Sequence, residues 1–117
     1  MSGFRMAARM MVAGATLALA PSAHASPVRT GAAACTVAKA RAAARLHRAV
    51  SSIPSCEALR AADSPPGFYI LALRGRCREE ICGSTLIGWY AVQKRTGRVF
   101  DWDVGEWRLG ASITGRP

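Results

Sequence analysis

From Phe68 onward the chain carries short apolar and aromatic runs separated by polar breakers. Phe68-Tyr69-Ile70-Leu71-Ala72-Leu73 leads into a polar, cysteine-bounded connection. Gly88-Trp89-Tyr90-Ala91-Val92, the turn Lys94-Arg95-Thr96-Gly97 and Val99-Phe100-Asp101-Trp102-Asp103 then follow. Runs of β-branched and aromatic residues bounded by Gly and polar clusters predict strands, here over 68–74, 86–93 and 98–103. The turn ending in Gly97 predicts a hairpin in which Gly97 takes the left-handed position that closes a type I turn with a bulge, where a Cβ is strained. With Gln93 opposite Arg98, side-chain alternation puts Trp89, Ala91, Phe100 and Trp102 on one face. Tyr90, Val92, Val99 and Asp101 take the other. The face with three large rings is the expected buried one.

Upstream the period changes. With Thr36 as N-cap, a helix from Val37 to about Val50 gathers Cys35, Ala42, Ala43, Leu46, Ala49, Val50 and Ile53 on one arc, and Arg41, Arg45 and Arg48 on the other. Lys39 falls inside the apolar arc and has to snorkel outward. A mostly alanine arc lets a helix lie close to a sheet. Pro54 stops the helix, Ser55 to Arg60 reads as short capped turns, and Ser64-Pro65-Pro66-Gly67 divides the helical part from the sheet. After Trp102, Trp107 and Leu109 are expected to cover a sheet edge, with 111–117 a frayed tail. The expected fold is α+β: one N-terminal helix packed on a three-stranded antiparallel β-meander, the Leu46/Val50/Ile53 face against the Trp89/Phe100/Trp102 face.

The first 25 residues change the picture of the compartment. Arg5 and Arg9 precede an uncharged apolar run from Met10 to Ala20, and Ala23-His24-Ala25 supplies small residues before Ser26. This is the pattern of a secretory signal peptide, and the run is short of the ~20 residues a membrane-spanning helix needs. Cleavage there leaves 92 of the 117 residues: a mobile leader over 26–34, one α+β domain over 35–110, and the tail. So small a chain buries only about 60–65% of its unfolded surface, and staples are expected. Cys35, Cys56, Cys77 and Cys82 all survive cleavage and read as two disulfides in an exported, periplasmic or secreted protein. Cys77 with Cys82 is the preferred pair, which leaves Cys35 with Cys56. A helix from Thr36 to Val50 sets those ends ~20 Å apart, whereas bridged Cα atoms lie within ~7 Å. Either the segment after Pro54 folds back, or Cys35 reaches the sheet and the pairing differs.

Candidate chemistry is sparse. His47 is the one histidine left after cleavage; it sits between Arg45 and Arg48, reads as a surface histidine rather than a catalytic base, and no Gly-x-Ser-x-Gly elbow accompanies it. Without a Cys-x-x-Cys pair, no zinc site or other metal or cofactor is expected. Asp101, Asp103 and Glu106 are candidate carboxylates for acid–base work or cation binding. Their competing reading is a solvated patch, with Asp101 paired to Arg74 or Arg98. The net charge of +9 falls to +7 without Arg5 and Arg9. Such a surface attracts acidic proteins or anionic headgroups, and Arg41, Arg45 and Arg48 form a candidate membrane-surface patch. Nucleic acid is not an expected partner of an exported chain. The rings Trp89, Phe100 and Trp102 imitate a stacking platform, but a core role explains them with less.

The segment Trp89-Tyr90-Ala91-Val92-x-x-x-Thr96-Gly97-x-Val99 resembles the closing hairpin of PepSY-type domains, small exported α+β modules whose Tyr/Val strand meets a Thr-Gly turn followed by Val. It departs from them in placing its helix before all the strands and in carrying four cysteines. The layout is also similar to small periplasmic inhibitor and immunity proteins. Both resemblances imply binding rather than catalysis. The expectation is a non-enzymatic exported binding module, inhibitor-like, acting on an envelope protein. Its contact surface is expected on the charged connection with Arg74, Arg76 and Arg78 and on the Lys94-Arg95 turn beside it. The alternatives are a small hydrolase using Asp101 or Asp103 with Glu106, and a basic membrane-surface protein.

Overall fold

Thr30, six residues ahead of Thr36, caps the helix: its Oγ1 accepts from Ala33 N at 3.0 Å, in an extended conformation suited to an N-cap. The structure, a computed structural model, describes residues 26–77 and 82–113. The expected signal peptide over 1–25, Arg78 and residues 114–117 lie outside them. Helix α1 runs Gly31–Arg45 and starts inside the segment read as a leader. Ser26 N and Val28 N donate to Thr96 O and Lys94 O, and Val28 is buried. Thr36 sits in the second turn, its hydroxyl donating back to Ala32 O.

The helix ends five residues before Val50. His47 N reaches Ala44 O and Arg48 N reaches Ala43 O, with His47 at φ 56°. That pair of bonds around a left-handed residue is a Schellman stop. The expected Leu46/Val50/Ile53 face is therefore broken up: Leu46 and Val50 are exposed, and only Ile53 is buried. The buried helix positions are Ala34, Ala38, Ala42 and Ala43, a close-packing stripe at intervals of four.

The sheet has five strands rather than three: β1 Ser55–Ala58, β2 Phe68–Arg74, β3 Leu86–Gln93, β4 Val99–Asp103 and β5 Arg108–Ile113. They form an antiparallel meander in sequence order. β1 replaces the turns expected after Pro54, and β5 takes in residues 111–113 of the expected tail, with Ile113 buried. Both added strands are short and little buried, so neither shows the apolar alternation that marks a half-buried strand. Where the pattern is strong the expectation holds to within a residue. Val92 lies opposite Val99, Gln93 N bonds Arg98 O at 2.9 Å, and Gly97 is left-handed at φ 76°.

The register places residues on faces as expected, but the helix takes the other face. α1 covers Leu71, Leu73, Tyr90, Val92 and Val99, together with Val28, Ile53 and Ile113. On that side the alanine stripe of α1 meets mostly aliphatic side chains, whereas the other face carries the bulkier indole and phenyl rings. Ile87 joins this side because it is the extra residue of a bulge where Leu73 pairs with Gly88 and Arg74 with Leu86. The Cys35–Cys56 disulfide ties the second turn of α1 to β1, and Cys77–Cys82 closes the connection between β2 and β3; both pairs have Cα atoms 5.9 Å apart. The chain after α1 folds back along it, which removes the distance conflict between Cys35 and Cys56. Disulfides and an α+β fold are compatible with an oxidising, exported environment.

Candidate functional site

The sheet face opposite α1 has no element of the described chain across it. Ile70, Ala91 and Trp102 are buried at its centre, with Leu59, Phe68, Trp89 and Phe100 packed around them and half-buried. Phe68 meets Phe100 edge to face at 6.2 Å between centroids. The Arg98 guanidinium lies 5.3 Å from the centre of the Phe100 ring and donates to Ser112 Oγ on β5. Arg74, at the far end of β2, stands 3.8 Å from Glu57.

At the β4–β5 turn, Asp103 Oδ1 accepts from Glu106 N and shapes the reversal. Trp107 follows in a left-handed conformation, φ 55°, and its ring packs edge-on against Trp102 at 5.2 Å. Trp107 remains 47% exposed, and Val104 and Leu109 beside it are exposed too. Trp102 is 7% exposed. Its Nε1 is buried with no hydrogen-bond acceptor, the one such side-chain atom among the described residues. Buried donors without partners are few in native folds. All three tryptophans of the chain thus stand on this one face.

The expected contact residues do not form one surface. Arg76 is exposed, donates to Ser51 O at 3.3 Å, and lines an open groove of about 530 Å³ with Arg48, Ser52, Gly75, Ser84, Thr85, Leu86 and Ile87. Lys94 and Arg95 lie at the opposite end of β3. Its eight residues put about 23 Å between the two sites at ~3.3 Å per residue. The turn is therefore not beside the 74–84 connection. Lys94 Nζ sits 4.9 Å from the Tyr69 ring centre, and Arg95 borders a shallow cleft with Pro66, Gly67, Phe68 and Gln93. Arg95 thus lies on the side of Phe68, Phe100 and Arg98, whereas the Lys94 ammonium stacks on Tyr69 of the helix-covered side. Sequence reasoning missed Phe68 and Arg98 as partners of this turn. Pairing Phe68 with Gln93 across β2 and β3 is the signal that finds them.

Two of the three candidate carboxylates, Asp101 and Asp103, are held in structural contacts, while Glu106 joins Asp103 through its backbone N–H. Asp101 projects from the helix side of β4 and accepts from Arg45 Nη1 at 2.9 Å, so its partner is neither Arg74 nor Arg98. This contact raises the Arg45 pKa further above its ordinary value. Tyr90, opposite Asp101 across β3 and β4, is buried, and burial pushes its phenol pKa up. Asp103 is used in the β4–β5 turn. No three metal-ligating side chains gather among the described residues, and no described helix is long and apolar enough to cross a membrane. Arg45 serves Asp101 and Arg48 lines the groove, which divides the expected Arg41/Arg45/Arg48 patch. No family model, curated protein or solved structure matches the chain.

Proposed function

We propose that this chain is a non-catalytic, exported binding module of the inhibitor or immunity type, which docks on a protein of the cell envelope. The observation that carries the reading is the helix-free sheet face. Five aromatic rings (Phe68, Trp89, Phe100, Trp102 and Trp107) lie on it together with Arg98. Small proteins rarely leave a contiguous apolar patch of this kind without a partner. Trp and Arg are also the residues on which interface energy concentrates. The disulfides hold such a face in shape in a chain too small to do so by core burial alone. A hydrolase reading is less supported, because Asp101 and Asp103 already have Arg45 and the β4–β5 turn as partners.

The test is photo-cross-linking in envelope extract, with the cross-linker in place of exposed Leu109 on β5. A specific adduct to an envelope protein, competed away by unlabelled wild type, is the expected result. Failure to recover any adduct from this position or from the groove at Arg76 contradicts the reading.

A further inference from the structure

We infer that the partner presents an acidic, apolar-cored segment. Its apolar side chains lie on Trp89, Trp102 and Trp107, and its carboxylates reach Arg95 and Arg98 at the β3–β4 turn. The inference rests on the binding-module reading and gives that site a partner chemistry.

The face has two unlike ends. At the β3–β4 end, Arg98 covers Phe100 and Arg95 borders the cleft beside Phe68. The residues lining that cleft include no carboxylate. At the β4–β5 end lie Trp107, Val104 and Leu109, all three exposed. Arg98, stacked on Phe100 and donating from Nη2 to Ser112 Oγ, has further guanidinium N–H donors to offer a carboxylate, and a charge beside an apolar platform binds more strongly than one in open water. The net charge of the chain, +9 over its full length, selects an anionic occupant and opposes association of two copies, since like-charged molecules repel.

The experiment titrates the oxidised, processed protein with a short peptide alternating Glu and Asp with Leu and Phe, and with its Lys-substituted counterpart. Intrinsic tryptophan fluorescence is the readout. The acidic peptide is expected to bind, and the Lys peptide at least tenfold more weakly. Raising salt should weaken the acidic complex, as exposed charge pairs are screened. Arg95→Glu with Arg98→Glu, and separately Trp107→Ala, should each weaken it at least tenfold while leaving the circular dichroism spectrum unchanged. Arg48→Glu with Arg76→Glu, in the groove at the other end, should leave it unchanged.

Equal binding of both peptides overturns the inference, as does loss of binding through the groove variants alone. Tighter binding to phosphatidylglycerol vesicles or to single-stranded DNA than to the acidic peptide overturns it too, and so does a dimer by sedimentation. The two failures are separable. An envelope adduct that still forms with the Arg95→Glu, Arg98→Glu protein sinks this inference alone, whereas the absence of any adduct sinks the binding-module reading.

Discussion

At the residue scale, the two left-handed glycines differ in a way that space decides. A Cβ on Gly97, φ 76°, meets Ser26 O at 2.8 Å, whereas one on Gly67, φ 85°, meets nothing within 4 Å. Gly67→Ala should therefore cost only the backbone strain, about 1 kcal/mol, and Gly97→Ala about twice that, because the 26–28 segment must move as well. Thermal melts of the two variants check the order; equal losses contradict it. Tyr90 gives a pH dependence. Burial raises its folded pKa, so the neutral phenol stabilises the fold fully below about pH 10, where an unfolded tyrosine begins to ionise. That stability is lost as pH rises toward the folded value. Between about pH 9 and about pH 11 the melting temperature should fall more steeply for wild type than for Tyr90→Phe, and parallel curves contradict this. Gly97 was legible because a turn with one glycine at its end has a single good conformation. Trp107, also left-handed, was not, since nothing in an indole announces a positive φ. Nor did His47 announce the helix stop.

At the element scale, the legible parts are those with dense apolar and aromatic runs between breakers: β2 and β3 as expected, and β4 to within one residue. β1 and β5 were not legible, because edge strands are defined by the neighbour they pair with more than by their own pattern. The helix was placed late because Thr30 and Thr36 both fit an N-cap, and the small residues between them, Gly31 to Cys35, carry little amphipathic phase to choose between them. The face it covers was misjudged by ring size: α1 packs on the side of Leu71, Leu73, Val92 and Val99. The disulfides bear on these elements unequally. Cys35–Cys56, 21 residues apart, closes a loop that includes most of α1 and anchors it to an edge strand. Cys35→Ala with Cys56→Ala should cost about 3 kcal/mol and lower the melting temperature well below that of Cys77→Ser with Cys82→Ser, whose cysteines are five residues apart. A larger loss from the second pair contradicts the view that α1 is held to the sheet mainly by alanine contacts and this bridge.

At the scale of the whole molecule, one side is a helix-covered aliphatic core and the other a face of rings with cations at one end. The site was half legible. Alternation grouped Trp89, Phe100 and Trp102 correctly, and Lys94 and Arg95 were singled out as contact residues. Which face the helix takes is a tertiary choice, and it left Trp89 and Phe100 half-buried around buried Ala91 and Trp102 on a face that no described element covers. The distribution of tryptophan gives the most direct measurement of the claim that this face is the docking surface. Each of the three indole N–H groups lies on it, and the Tyr90, Val92 and Val99 side chains lie on the other side of the same strands. Two-dimensional NMR of the uniformly labelled, oxidised protein, titrated with the acidic peptide, reads both sides at once. The account predicts that the Trp89, Trp102 and Trp107 indole signals shift together with the Arg95 and Arg98 amides, while the Val92 and Val99 methyls stay in place. Shifts confined to Arg76, Ser84 and Thr85 around the groove, with all three indole signals unmoved, would contradict it.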